Sequence, residues 1–158
     1  MDSPDPGPAA RTWRYQVRAR TSAPPEAVWA LISQAEGWKE WSFLTRSFLT
    51  REGGTEADGV GAMRRFAVGR FGSVEEVVEF ERPVHLGYIA HRGLPVRSYR
   101  ADIFLAPDGP GTSILWTGSL VPLLPGTGRA ALAYTRGFIR LFARQLVRRA
   151  DQISSGGG

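Results

Sequence analysis

The chain contains no cysteine and no asparagine, a single lysine and only two histidines. Without thiols, disulfides, thiolate nucleophiles, zinc fingers and iron–sulfur clusters are excluded, and a reducing compartment is permitted. His85 and His91 stand six residues apart, with no third histidine and no carboxylate at a ligand-like spacing, so no zinc site is expected. No apolar run approaches the roughly 18 residues that cross a bilayer; the best candidate, around Leu120 to Leu124, is broken by Pro122 and Pro125. There is no Walker loop and no serine elbow, and Gly59-Val60-Gly61 lacks the third glycine of a dinucleotide loop and precedes a strand, so no cofactor is expected. The first ten residues are acidic and carry Pro4, Pro6 and Pro8, whereas a signal peptide needs a basic start and an apolar stretch. The cytoplasm is the expected location.

What is present fits one ordinary globular domain: 158 residues, 42% of them apolar and 22% charged, are enough for a single core. The net charge of +5 comes almost wholly from arginine. A basic chain can bind polyanions through counterion release, but no reader motif is present, so sequence-specific nucleic-acid binding is not expected.

Along the chain the periodicity changes twice. Trp13, Tyr15, Val17 and Ala19 alternate with Arg14, Gln16, Arg18 and Arg20, the pattern of a half-buried strand. A hydroxyl cap from Thr21 or Ser22 and a first-turn proline then open a short helix carrying Val28, Leu31 and Ile32, and Trp38 to Trp41 forms a second helical turn. Trp29, Trp38 and Trp41 read as core. From Phe43 to Val121 the period is two, with turn signals that divide the stretch into about six strands. Arg129 to Ile153 contains no proline and sets Leu132, Thr135, Ile139, Phe142, Leu146 and Ala150 on one side of a long amphipathic helix. The fold class is therefore α+β, with about seven antiparallel strands in a curved sheet, two short helices after strand one, and a long C-terminal helix over the concave face. Residues 1–11 and 154–158 are expected to be disordered around a domain of 12–153.

Four segments in succession carry a resemblance: Gly61-Ala62-Met63-Arg64-Arg65-Phe66, Glu75-Glu76-Val77-Val78-Glu79-Phe80, Gly93 to Arg100, and Gly111 to Trp116. In this order they resemble the polyketide cyclase/dehydrase family of the START-like (SRPBCC) superfamily, over roughly residues 13 to 152. The resemblance implies a helix-grip fold and an internal cavity for lipids, polyketides or other apolar molecules. It does not imply one reaction. Two readings stay open: a binding protein for a small hydrophobic ligand, slightly favoured, and a cyclase/dehydrase-type enzyme.

The candidate site residues follow from the strand pattern. Pairing Val68 with Ser73 across the Gly69–Gly72 turn sets Arg65 opposite Glu76, and Val74, Glu76, Val78 and Phe80 then share one face. Glu76 is thus expected inside, with Arg65 or, after a one-residue slip, Arg64, to orient a polar ligand group or move a proton. Tyr88, Tyr99 and Trp116 lie on three different strands and join apolar bodies to polar tips, as a ligand pocket requires, with Phe142 facing them from the helix. His91, near the Gly93-Leu94-Pro95 loop, is a second catalytic candidate if it sits at the cavity mouth, and Asp102 would neighbour it if the hairpin pairs in register. Arg136, Arg140, Arg144 and Arg148 recur every four residues; the first three would suit an anionic membrane or an acidic partner, a third reading of the chain. Gly137, costly in a helix interior, implies close approach to the sheet or a flexible point over the pocket. No feature of the sequence bears on oligomeric state.

Overall fold

A computed structural model describes residues 10–157; the expected disorder of the first residues falls largely outside that range. Strand β1 (Trp13–Thr21) leads into α1 (Pro25–Ser33), a single 3-10 turn (Ala35–Gly37) and α2 (Trp38–Trp41). Six strands follow: β2 (Arg46–Arg51), β3 (Met63–Val68), β4 (Phe71–Glu81), β5 (His85–Arg92), β6 (Val96–Asp108) and β7 (Gly111–Pro122). Helix α3 (Gly128–Ser155) closes the chain and runs two residues into the segment expected to be a disordered tail. All seven strands form one curved antiparallel sheet in the order β1-β7-β6-β5-β4-β3-β2.

Directly opposed residues share a face, so the registers define rows across the sheet. One inner row reads Val17, Trp116, Ile103, Leu86 and Phe80; the next reads Tyr15, Gly118, Ala101, Tyr88 and Val77. Small residues at Gly118 and Ala101 leave space for the flanking tyrosine rings. A Cβ on Gly118 would lie 2.3 Å from the Tyr15 ring. Gly118→Val should therefore expel that ring, at an overpacking cost of about 1–3 kcal/mol. A melting temperature lowered by roughly 3–10 °C is the expected readout in a domain of this size, and an unchanged one would show that the ring can swing aside.

The first two helices pack Val28, Trp29, Ile32, Trp38 and Trp41 onto the inner face. The hydroxyls expected to cap α1 do something else. Pro24 occupies the N-cap position, which a proline cannot cap with a side chain, and Thr21 and Ser22 instead hydrogen-bond Asp151 near the end of α3. These contacts hold the Asp151 carboxyl below its usual range, chiefly through the Thr21 hydroxyl, and fasten the far end of α3 to the end of β1.

Helix α3 is gripped unevenly. From Ile139 onward it buries Ile139, Phe142, Ala143, Leu146 and Ala150, as its spacing predicts. Its N-terminal half leaves Leu132 and Thr135 half-buried and Tyr134 and Phe138 exposed, so that half spans open space. Gly137 faces solvent with nothing within 4 Å of a would-be Cβ, which rules out close approach to the sheet as its reason.

The β3–β4 register differs from the expected one by two residues. Val68 pairs Phe71, not Ser73, across a two-residue turn at Gly69-Arg70 in which Gly69 has φ +58°. A glycine with positive φ at the first turn position matches the twist of the flanking strands, so the tight turn wins over the longer one. The pairs become Arg64 with Glu75, Arg65 with Val74 and Met63 with Glu76.

Candidate functional site

Between the N-terminal half of α3 and the inner face of the sheet lies a cavity of about 440 Å³. Its floor is formed by Tyr88, Tyr99 and Trp116, the three aromatics expected to line a pocket, and Phe142 covers them from α3. Trp38 and Phe66 form a side wall, so Trp38 is both core and lining. Polar tips on the floor are satisfied locally: the Trp116 indole N–H donates to the Tyr88 hydroxyl at 3.1 Å, and the Tyr15 and Tyr99 hydroxyls lie 2.5 Å apart. Burial pushes all three tyrosine hydroxyls up, which keeps them neutral and able to donate.

One carboxylate faces this cavity, and it is Glu75 rather than Glu76. The parity argument fails because β4 carries a bulge between Val77 and Glu79, where Val78 has no opposite residue; the shift between Val74 and Glu75 instead places the extra residue, His91, on β5. A bulge inserts one residue and reverses the inside–outside count. Phe80 does face inward, stacked edge-on to Trp29, but counting back from it by twos crosses the bulge at Val78 and lands on the wrong glutamate. Val77 and Glu75 are the inward residues.

Arg64 is the fully buried partner of Glu75, its Nη2 donating at 3.1 Å to Oε2, while the Ser73 hydroxyl donates to Oε1 at 3.3 Å. Its guanidinium also lies over the rings of Phe66, Tyr88 and Trp38 at 4.9, 4.9 and 5.4 Å, within cation–π reach. Nε and Nη1 have no hydrogen-bond partner among the described residues. Burial raises the Glu75 carboxyl above its ordinary value, and the Arg64 charge opposes that rise. Arg65, paired with Val74, lies on the other face and away from the cavity.

The two residues expected to carry catalysis do meet, but outside. His91 Nε2 lies 2.6 Å from Glu76 Oε2, with Arg51 at 4.0 Å, on the outer face of the sheet. Asp102 partners His85 instead of His91, at 2.8 Å, and also accepts two hydrogen bonds from Arg100. Burial acts to raise the Asp102 carboxyl, but the bonds from Arg100 and His85 outweigh it and hold the group low.

A wider trough of about 1340 Å³ runs along the other side of α3 against β1. It is lined by Arg18, Arg20 and the stripe Arg136, Arg140, Arg144 and Arg148, and is open to solvent. It offers charge without enclosure, so the smaller cavity is the better candidate for a small ligand.

The family model for polyketide cyclase / dehydrase and lipid transport matches residues 12–151. The chain belongs to this family. Among solved structures, a START superfamily protein from Mycobacterium smegmatis superposes with a TM-score of 0.77 at 14% identity, covering 89% of this chain and 98% of that one. The protein XoxI from Bacillus cereus gives 0.73 at 19% identity, covering 89% and 97%. A protein of Thermus thermophilus gives 0.72 at 18% identity, covering 89% and 99%. At such identities the likeness establishes the START-like fold alone. No curated protein matches the sequence. Among the described residues of this family member no helix is long and apolar enough to cross a membrane, and no cluster of potential metal ligands occurs.

Proposed function

We propose that this member of the family binds a small, mostly apolar molecule with one polar group in the cavity under α3, and that Glu75 takes the polar group. The observation that carries this reading is a single carboxylate, backed by a buried guanidinium, in a cavity of about 440 Å³ lined mainly by aromatic and aliphatic residues. That size lies within the range of small-molecule sites. Apolar burial supplies affinity at about 25 cal/mol per Å², and the carboxylate supplies orientation. Arg64 acts behind Glu75 as a positioning residue.

The test is detergent-free purification followed by native mass spectrometry. A bound mass is expected on the parent protein. Glu75→Gln should retain it with affinity lowered roughly tenfold or more, the worth of a hydrogen bond to a charged group. Ala131→Trp, which puts an indole into the cavity from α3, should remove it while leaving the melting temperature high. A ligand held equally well by both variants would place binding elsewhere.

One observation favours a second reading, a cyclase/dehydrase-type enzyme. Burial raises the Glu75 carboxyl above its ordinary value, the direction that favours its taking up a proton. In such a reaction Glu75 takes a proton from carbon beside a carbonyl and delivers it to the departing hydroxyl, which leaves as water. Turnover of a polyketide-type substrate, abolished by Glu75→Gln in a folded protein, would select this reading. Glu76 and His91, on the outer face, would be dispensable.

A further inference from the structure

Three connections meet at the end of the molecule where the cavity opens: the β3–β4 turn, the β5–β6 turn and the β7–α3 linker. The antiparallel order puts them together, Val96 pairs with Pro122, and Arg97 Nε donates to the Leu123 carbonyl at 3.5 Å. The two hairpin turns touch, for a Cβ on Gly93 would fall 1.9 Å from the Gly72 carbonyl oxygen. This rim carries large apolar side chains turned to solvent, with Phe71 74%, Tyr134 71% and Leu124 63% exposed, and Val68, Leu94 and Leu123 beside them. Isolated exposed apolar residues are ordinary, but a contiguous set around a cavity mouth marks an interaction surface.

The rim segments carry charge of one sign only. Residues 68–74, 91–98 and 121–138 contain no aspartate or glutamate, and they supply Arg70, Arg92, Arg97, Arg129 and Arg136. Arg46, bonded to the Gly69 carbonyl, adds a further cation at the rim. The connections at the opposite end mix signs: Glu52, Glu56 and Asp58 lie between β2 and β3, Glu81 at the end of β4 and Asp108 at the end of β6, beside Arg20, Arg51 and Arg82. A cationic rim without acids favours approach of the mouth to a negative surface.

We propose that this rim docks on an anionic lipid bilayer, the apolar side chains entering the interface and the arginines meeting the headgroups, so that the cavity opens onto the lipid phase. Its occupant is a membrane because the rim combines apolar insertion with cationic surroundings, the pairing that peripheral membrane binding needs. Exchange of a ligand with the bilayer rests on the cavity being the ligand site; docking itself does not.

Co-sedimentation with vesicles containing phosphatidylglycerol, compared with vesicles of phosphatidylcholine alone, measures docking. Uptake of the neutral fluorophore 1-aminoanthracene in the absence of vesicles measures the cavity separately. The chain should sediment with the anionic vesicles only, and less as salt rises. Leu123→Asp with Leu124→Asp should lower that partition at least about tenfold while leaving fluorophore uptake intact, since neither leucine lines the cavity. Arg97→Glu or Arg129→Glu should lower it about fivefold each. Arg20→Glu, whose parent side chain is paired to Asp108 at the other end, should not change it. Uptake without vesicle binding overturns the docking and leaves the ligand site standing; vesicle binding without uptake does the reverse. A dimer in sedimentation velocity that the leucine variants dissociate, with no vesicle affinity, would assign the rim to a second copy and also overturn the proposal.

Discussion

Replacing Arg64 by methionine should cost about 3–5 kcal/mol of stability at neutral pH, the typical result of leaving a buried carboxylate without its counter-charge. The side chain is fully buried, supplies the only charged partner of Glu75 among the described residues and is covered by three aromatic rings, so water cannot replace it cheaply. The loss should depend on pH, with a definite sign. Glu75 already sits above its ordinary value because of burial, and Arg64 is what opposes the rise. Without Arg64 the folded protein holds the Glu75 proton still more strongly than the unfolded chain does. The variant is then least penalised below the ordinary carboxyl range and loses up to about 1.4 kcal/mol per pH unit above it, until the folded group itself ionises. Removing both partners, as Arg64→Met with Glu75→Leu, should restore most of the loss, because an apolar pair of similar volume carries no desolvation cost. Denaturant melts of the four proteins between acidic and neutral pH form the double-mutant cycle. Additive losses, with no recovery in the double variant, would mean that the two side chains do not act as a pair. The double variant should also fail to hold the cavity ligand, which separates the polar anchor from the fold.

Phe142→Ala is the second large effect. The ring sits within 4.7–6.2 Å, centroid to centroid, of Phe43, Phe138, Trp38, Trp41 and Trp116, and links α3 to both α2 and the sheet. Truncation removes that area and leaves a void continuous with the existing cavity, for about 3–5 kcal/mol. Thermal melts should fall by roughly 6–20 °C for a domain of this size. Because the void is apolar and joined to the cavity, a saturating apolar ligand that fills it should raise the melting temperature more in the variant than in the parent. A loss below about 1 kcal/mol would show that α3 can settle onto the sheet and close the gap.

The architecture is legible in the sequence because periodicity reports it. Alternation in Trp13 to Arg20, the run of turn signals after Phe43 and the three-and-four spacing of Ile139, Phe142, Leu146 and Ala150 each come from local geometry that a sequence records directly. Tyr88, Tyr99, Trp116 and Phe142 line the cavity for the same reason: residues at constant parity on unbroken stretches keep their side. Parity misses Glu75 because a bulge at Val78 in β4 resets the count, and a bulge leaves no reliable mark on composition. The available signal is the tight Gly69-Arg70 turn, which sets Arg64 against Glu75 as soon as the loop is read as two residues. Phe66 and Phe71, which line the cavity, and Tyr15, which reaches it only through the Tyr99 hydroxyl, escape sequence reasoning because their places depend on pairing with segments distant in the chain.

By itself the sequence determined the class of the fold, the order of its elements, the family and the aromatic character of any pocket, since all of these follow from local spacing and from the succession of motifs. The tertiary structure alone decided which glutamate is inside, which histidine meets which acid, and that α3 is held at one end and left open at the other. These depend on register and on where strands bulge, quantities set by packing between distant segments rather than by the residues adjacent in the chain.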